Sequence, residues 1–253
     1  MIKLKTDDDI KKIRESGRIL AETHYELKKM VSPGITTGEL DRFAKSFIEK
    51  RGASPAFLGF MDYPASLCVS VNSEIIHGIP GKRKLKDGDI VSLDLGVDLK
   101  GYFSDMAFTM AVGTVPEATA QLIRETRTCL NRAIEQVRNG NRINDLGKAV
   151  WEHAKKFSYG VVKEYCGHGV GYSQHEEPQI PNYIRKMPNP RLKNGMVIAI
   201  EPMINLGTGD VVLLDDGWTV ETADGSLSAH WEHTIAVSGN GFEVLTAFPD
   251  IEL

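Results

Sequence analysis

Apolar positions along the chain recur first with a helical period and then with a strand period, and this succession occurs twice. After Asp7-Asp8-Asp9, residues Ile10, Ile13, Gly17, Leu20, Leu27 and Val31 repeat at helical spacing until Ser32-Pro33-Gly34 stops them. Thr36 and Glu39 have capping-box spacing. They precede a second helix with the apolar face Leu40, Phe43, Ala44, Phe47 and Ile48, closed by Gly52. Leu67–Val71 then reads as a strand, and Glu74–Gly81 as a short strand running into a turn. Leu85–Gly88 is a turn into Ile90–Asp94, and Ser104–Met110 pairs with that strand as a hairpin joined at Lys100-Gly101.

The pattern then restarts. Pro116-Glu117 opens a helix carrying Leu122, Ile123, Cys129, Leu130, Ala133, Ile134 and Val137, ended by Asn139-Gly140. A second helix carries Leu146, Val150, Ala154 and Phe157 and stops by Gly160. β structure resumes at Val161-Val162 up to Cys166 and again at Met196–Glu201. Val211–Leu214, Trp218–Val220 and a strand pair from His230 to Leu245 complete the expected sheet. Leu85-Lys-Asp-Gly-Asp-Ile-Val-Ser-Leu-Asp94 and Leu192-Lys-Asn-Gly-Met-Val-Ile-Ala-Ile-Glu201 match almost position for position. Upstream, Gly34 with Leu40 parallels Gly140 with Leu146. A repeat of about a hundred residues means two pseudo-symmetric halves rather than a solenoid. The expected architecture is α/β, of the α+β kind: an antiparallel sheet flanked by helices. One domain, 1–253, is divided into halves of about 1–113 and 114–253, and Asp94 and Glu201 would occupy equivalent places.

Composition narrows the class without naming a function. The chain has 253 residues, 42% apolar and 25% charged, enough for a sizeable core. A net charge of −4 gives no nucleic-acid footprint. No apolar run is long enough to span a membrane, and Met1–Asp9 lacks the apolar core of a secretory signal. Cys68, Cys129 and Cys166 are far apart and odd in number, which argues against a disulfide framework or a thiolate zinc site. A cytoplasmic, reducing compartment is expected.

Charge changes the picture inside the strands. Asp94, Asp105, Glu201 and Glu232 all lie in apolar, β-prone runs, and unpaired buried charges cost several kcal/mol each or force large pKa shifts. His168 sits among glycines in Cys166-Gly167-His168-Gly169, which permit close backbone approach. His230 shares a face with Glu232 if that strand is regular. Singly, each has an ordinary explanation, such as an edge, a turn or a solvated loop. Together, four carboxylates balance the charge of two divalent cations, and oxygen-rich ligation with one imidazole suits Mn²⁺, Fe²⁺, Co²⁺ or Zn²⁺. Paired cations about 3.5–4 Å apart are a recurring hydrolytic device.

The order Asp94, Asp105, His168, Glu201, Glu232, within Asn72-Ser-Glu-Ile-Ile-His77-Gly-Ile-Pro80, Cys166-Gly-His168-Gly and Ile200-Glu201-Pro-Met203, resembles methionine aminopeptidase of type I from about Lys5 to Leu245. The resemblance implies the pita-bread fold with its pseudo-twofold, and removal of the initiator methionine from nascent proteins when the next residue is small. It makes the five residues ligands of two metal ions, with Asp105 and Glu232 bridging and Glu201 also moving a proton from the bridging water. His77 would contact substrate near the scissile bond, and His175 would stabilise the tetrahedral oxyanion. Phe60, Tyr63, Cys68 and Trp218 would line the methionine pocket, with a polarizable sulfur suited to a thioether. Gln174 departs from the pattern, because an apolar or aromatic residue is usual there, so one wall of the pocket is in question. A monomer making transient contact with the ribosome is also implied.

Two other readings compete. Prolidase and Xaa-Pro aminopeptidase share the fold, but usually carry a large domain before the catalytic pattern, which here begins within the first ten residues. A type II enzyme would carry a helical insertion, and only thirty residues separate Glu201 from Glu232. A non-catalytic relative binding peptide or RNA would be expected to lose ligands, whereas all five are present.

Overall fold

The fold is that of a computed structural model in which residues 1–186, 188–239 and 241–247 are described. The last residues of the expected second half, 248–253, lie outside them. Helices α1 (Asp7–Met30) and α2 (Thr37–Glu49) lead to strands β1 (Ser54–Pro55), β2 (Cys68–Val71), β3 (Glu74–Ile76), β4 (Ile90–Leu99) and β5 (Tyr102–Ala111). Helices α3 (Glu117–Ile134) and α4 (Ile143–Ala154) lead to β6 (Gly160–Val161), β7 (Gly167–Gly169), β8 (Glu176–Ile180), β9 (Val197–Ile200) and β10 (Met203–Asn205). The chain continues through β11 (Val211–Leu213), β12 (Val220–Thr222), β13 (Ser228–His230), β14 (Glu232–Ser238) and β15 (Gly241–Val244).

Local chemistry sets the helix starts. The Thr36 N–H donates to Glu39 Oε2 at 2.8 Å and the Glu39 N–H to Thr36 Oγ1 at 3.2 Å, which completes the capping box. Thr6 and Asp9 form a second box at the head of α1. The apolar pattern of α3 runs on to Val137, but the helix stops at Ile134 because the chain tightens into a turn in which the Val137 N–H donates to the Ile134 carbonyl. Phe157, assigned by its spacing to the following helix, falls in a separate 3₁₀ turn.

The main sheet has nine strands, all paired antiparallel, in the order β1-β4-β5-β14-β9-β7-β8, with β2 on β4 and β15 on β14. Alternation divides its faces. Leu93, Leu95, Val97, Met106, Phe108, Ile198, Ile200 and Ile235 pack with Leu20, Leu40, Leu130 and Leu146 of the four helices in one core. The opposite face carries Asp94, Gly96, Asp105 and Ala107. Outward from the β5–β14 seam the order reads β4, β2 on one side and β9, β7 on the other. Equivalent hydrogen bonds recur across that seam. The Gly34 N–H donates to Leu85 O at 2.7 Å and the Gly140 N–H to Leu192 O at 2.9 Å. The Gly88 N–H donates to Val112 O at 2.9 Å and the Gly195 N–H to Val237 O at 3.0 Å.

Four expectations change. Asp94 is mid-strand rather than terminal, because β4 runs on to Leu99 and turns through Lys100 and Gly101, both at positive φ. Val211–Leu213 and Val220–Thr222 do not finish the main sheet but form a second one with β3. Of the Val161–Cys166 stretch only Val161 is in a strand, β6, which joins β10 and β13 in a third sheet. The run through Glu232 is broken at Trp231, so His230 and Glu232 belong to different sheets.

Candidate active site

Register alone gathers the acids. Cys68 pairs with Asp94, Asp94 with Ala107, and Ala107 with Glu232, so one row crosses four strands. Asp105, two residues before Ala107, lies on the same face. The next row runs from Thr234 through Ala199 to His168, and Glu201 follows two residues after Ala199. Thr234 is two residues after Glu232. The five expected donors therefore share one face, and the small side chains of Ala107 and Ala199 leave the space between them open.

His168 lies in a strand, not in a loop. A Cβ on Gly167 would stand 2.3 Å from Ala199 O, and one on Gly169 2.3 Å from Glu177 O. The glycines allow β7 to fit tightly between β9 and β8. The Nδ1–H of His168 donates to Gly169 O at 2.9 Å, which fixes the tautomer. Its Nε2 lone pair therefore faces Asp105 Oδ2 at 3.5 Å and Glu201 Oε1 at 3.6 Å.

A lone pair aimed at carboxylates is repulsive unless a proton or cation lies between them. Donor atoms of His168, Glu201 and Glu232 lie within 4.8 Å of one another, as do those of Asp94, Asp105 and Glu232, so the trios share Glu232. Asp94 Oδ1 and Glu232 Oε1 are buried with no hydrogen-bond partner. Among the described residues no lysine or arginine pairs with these acids. Burial pushes all four carboxyl groups well above the usual range, and the charge of Asp105 adds to this for Asp94, Glu201 and Glu232. Burial also lowers His168 to about 4, keeping its ring neutral as ligation requires. The donor set fits divalent cations.

Beside the acids opens a cavity of about 720 Å³ that includes His77, His175, Phe60, Tyr63, Cys68 and Trp218 in its wall. His77 is held at φ +59°, a left-handed conformation that is uncommon for a residue other than glycine. The following Gly78 has no room for a Cβ, which would meet Val69 O at 2.4 Å. Burial depresses His77 to about 4; His175, exposed at the cavity, is lowered as well by partial desolvation and the neighbouring His168, so both rings are neutral. His175 packs 4.1 Å from the His168 ring and edge-on to Phe60 at 5.1 Å. Tyr63 meets Trp218 edge-on at 5.1 Å. Burial pushes the Cys68 thiol well up, keeping it neutral.

Phe57, which nothing in the sequence singled out, joins Tyr63 and Cys68 in the apolar slot. Its only signal is an aromatic within Ser54-Pro-Ala-Phe-Leu-Gly-Phe60. His230 reaches the site despite the strand break, with Nε2 3.7 Å from Glu201 Oε2. Gln174 is absent from the cavity wall; it is buried behind it and donates to Asp105 Oδ2.

The comparisons agree with this geometry. Residues 11–239 match the model of metallopeptidase family M24. A methionine aminopeptidase of Clostridium perfringens is 50% identical over 97% of this chain and 99% of its own length. Methionine aminopeptidase 1 of Bacillus subtilis is 48% identical over 97% and 99%. The crystal structure of methionine aminopeptidase from Rickettsia prowazekii superposes with a TM-score of 0.95 at 42% identity, covering 98% of this chain and 100% of that one. The chain has the pita-bread fold and belongs to metallopeptidase family M24, among its methionine aminopeptidases.

Proposed function

We propose that this chain removes the initiator methionine from nascent proteins whose second residue is small, using two divalent cations held by Asp94, Asp105, His168, Glu201 and Glu232. The observation that carries the reading is the gathering of these donors on one sheet face beside an apolar slot. Asp105 and Glu232 would hold the cations from the two strands of the seam, with Asp94, His168 and Glu201 completing the donor set. Bound there, Mn²⁺, Fe²⁺, Co²⁺ or Zn²⁺ would polarise the scissile carbonyl and lower the pKa of an attacking water.

The chain's own groups do the rest. Glu201, a buried carboxylate beside Asp105 and Asp94, takes the proton of the attacking water and passes it to the leaving amine. Neutral His175 donates a hydrogen bond to the carbonyl oxygen as negative charge develops on it. His77, fixed by its left-handed backbone, contacts the substrate near the scissile bond. Phe60, Tyr63, Cys68 and Trp218, with Phe57, hold the methionine side chain through apolar and sulfur contacts. The domain is a single catalytic unit, 1–253, with halves of about 1–113 and 114–253, supported by the paired hydrogen bonds across the seam. On this reading the enzyme works in the cytoplasm, as a monomer in transient contact with the ribosome. Among the described residues no helix is long and apolar enough to cross a membrane.

The test is to restore Mn²⁺ or Co²⁺ to the chelator-treated protein and offer Met-Ala-Ser, Met-Trp-Ser and Ala-Pro-Ala. Release of methionine from Met-Ala-Ser, and little from Met-Trp-Ser, is the expected result. Cleavage of the proline peptide alone would overturn the assignment.

A further inference from the structure

The segment between β7 and β8 brings a second polar side chain, besides His175, to the acids. Gln174 is 2% exposed, and its Nε2–H donates to Asp105 Oδ2. Gly96 makes the room. It faces Asp105 across the β4–β5 ladder, and a Cβ on it would stand 2.7 Å from Gln174 Oε1. The amide thus fills a slot that a side chain at 96 would crowd, displacing Gln174 Oε1. The segment is anchored from outside: Lys5 Nζ lies 2.6 Å from Glu176 Oε2, with side chains only 1% and 4% exposed. Glu176 Oε1 also accepts from the N–H groups of Tyr172 and Ser173 at 2.7 and 3.2 Å.

We propose that Gln174 is a positioning residue of the metal centre, holding the Asp105 carboxylate in the orientation that cations require, and not a wall of the methionine slot. The proposal rests on the reading of Asp105 as a ligand. Asp105 is crowded by three other acids, and their repulsion favours turning its carboxylate away from them. The Gln174 donor on Oδ2 and the Met106 N–H on Oδ1, at 3.0 Å, oppose that rotation. An amide suits this work. It donates without carrying charge, whereas lysine or arginine would neutralise an acid needed to balance the cations. Packing alone does not account for a glutamine here, because its Oε1 is left buried without a partner. An apolar side chain would fill the slot and avoid that cost.

The experiment compares wild type with Gln174→Met, which keeps the length and removes the donor. Each full-length, Mn²⁺-loaded protein is challenged with graded chelator, and retained metal is measured by mass spectrometry. Gln174→Met should lose Mn²⁺ at roughly tenfold lower chelator concentration. Its kcat should fall while KM for Met-Ala-Ser holds, and its unfolding midpoint in excess chelator should match or exceed wild type. Gly96→Ala, which keeps the glutamine but displaces its amide, should shift retention the same way. Wild-type retention in Gln174→Met, or a changed preference between methionine and norleucine peptides with metal retention intact, overturns this proposal alone. A wild-type protein that holds no Mn²⁺ overturns the metal reading beneath it.

Discussion

At the scale of single residues, each buried acid is costly by itself and accounted for by its neighbours. Among the described residues no lysine or arginine pairs with Glu201, whose neighbours are the neutral rings of His168 and His230, and burial with the charges of Asp105 and Asp94 holds its carboxyl well above the usual range. A carboxylate at this place, unpaired with lysine or arginine, is free to accept and return a proton, which is the property a shuttle needs. Glu201→Ala should lower kcat on Met-Ala-Ser by about 10²–10⁴-fold, measured at saturating Mn²⁺ so that weakened binding does not mimic the loss. Full turnover in that variant would remove Glu201 from its role. The acids and His168 were legible in the sequence because each breaks the rule of its surroundings, a charge in an apolar run or an imidazole among glycines. Phe57 breaks no rule, and its part in the slot was silent. Gln174 did stand out, but only packing placed its amide on Asp105 instead of in the pocket.

At the scale of elements, two contacts govern how the site is held. Strand β7 fits between β9 and β8 only because Gly167 and Gly169 lack side chains. Gly169→Ala should push β7 from Glu177 O, displace His168, and lower both the unfolding midpoint and Mn²⁺ retention. A variant unchanged in both would show that the strand spacing adjusts freely. Behind the sheet, helix α1 places His24 wholly inside the core, 3.3 Å from the Leu93 carbonyl of β4. Burial lowers its pKa to about 4, below its unfolded value, so the unfolded chain binds the extra proton between those limits. Its contribution is therefore intact above pH 6.5 and lost as pH falls toward 4, amounting to up to about 3 kcal/mol. Urea unfolding at pH 7 and pH 4.5 should show a smaller acid-induced loss for His24→Phe than for wild type. An equal loss in both would mean that His24 is not the acid-sensitive group.

At the scale of the whole molecule, the two halves meet so that their acids face one another across the β5–β14 seam, and cations would then join the halves as well as serve the reaction. Without them burial and mutual repulsion raise the affinity of these acids for protons, so metal binding competes with protons. Calorimetric addition of Mn²⁺ at pH 7, in buffers of different ionisation enthalpy, should report net proton release. Saturating metal should also stabilise the fold by about 3 kcal/mol at a hundred times Kd. Metal binding with neither proton release nor a rise in the unfolding midpoint would contradict both expectations. The sequence by itself determined the helices, the hairpin, the repeat and which acids stand in apolar strands, because these follow from local periodicity, from turn chemistry and from charges placed where water is excluded. Only the tertiary structure decided which strands share a sheet, that His168 sits in a strand, and that Gln174 serves Asp105. Register and side-chain packing bring together residues far apart in the chain, and no local pattern encodes those distances.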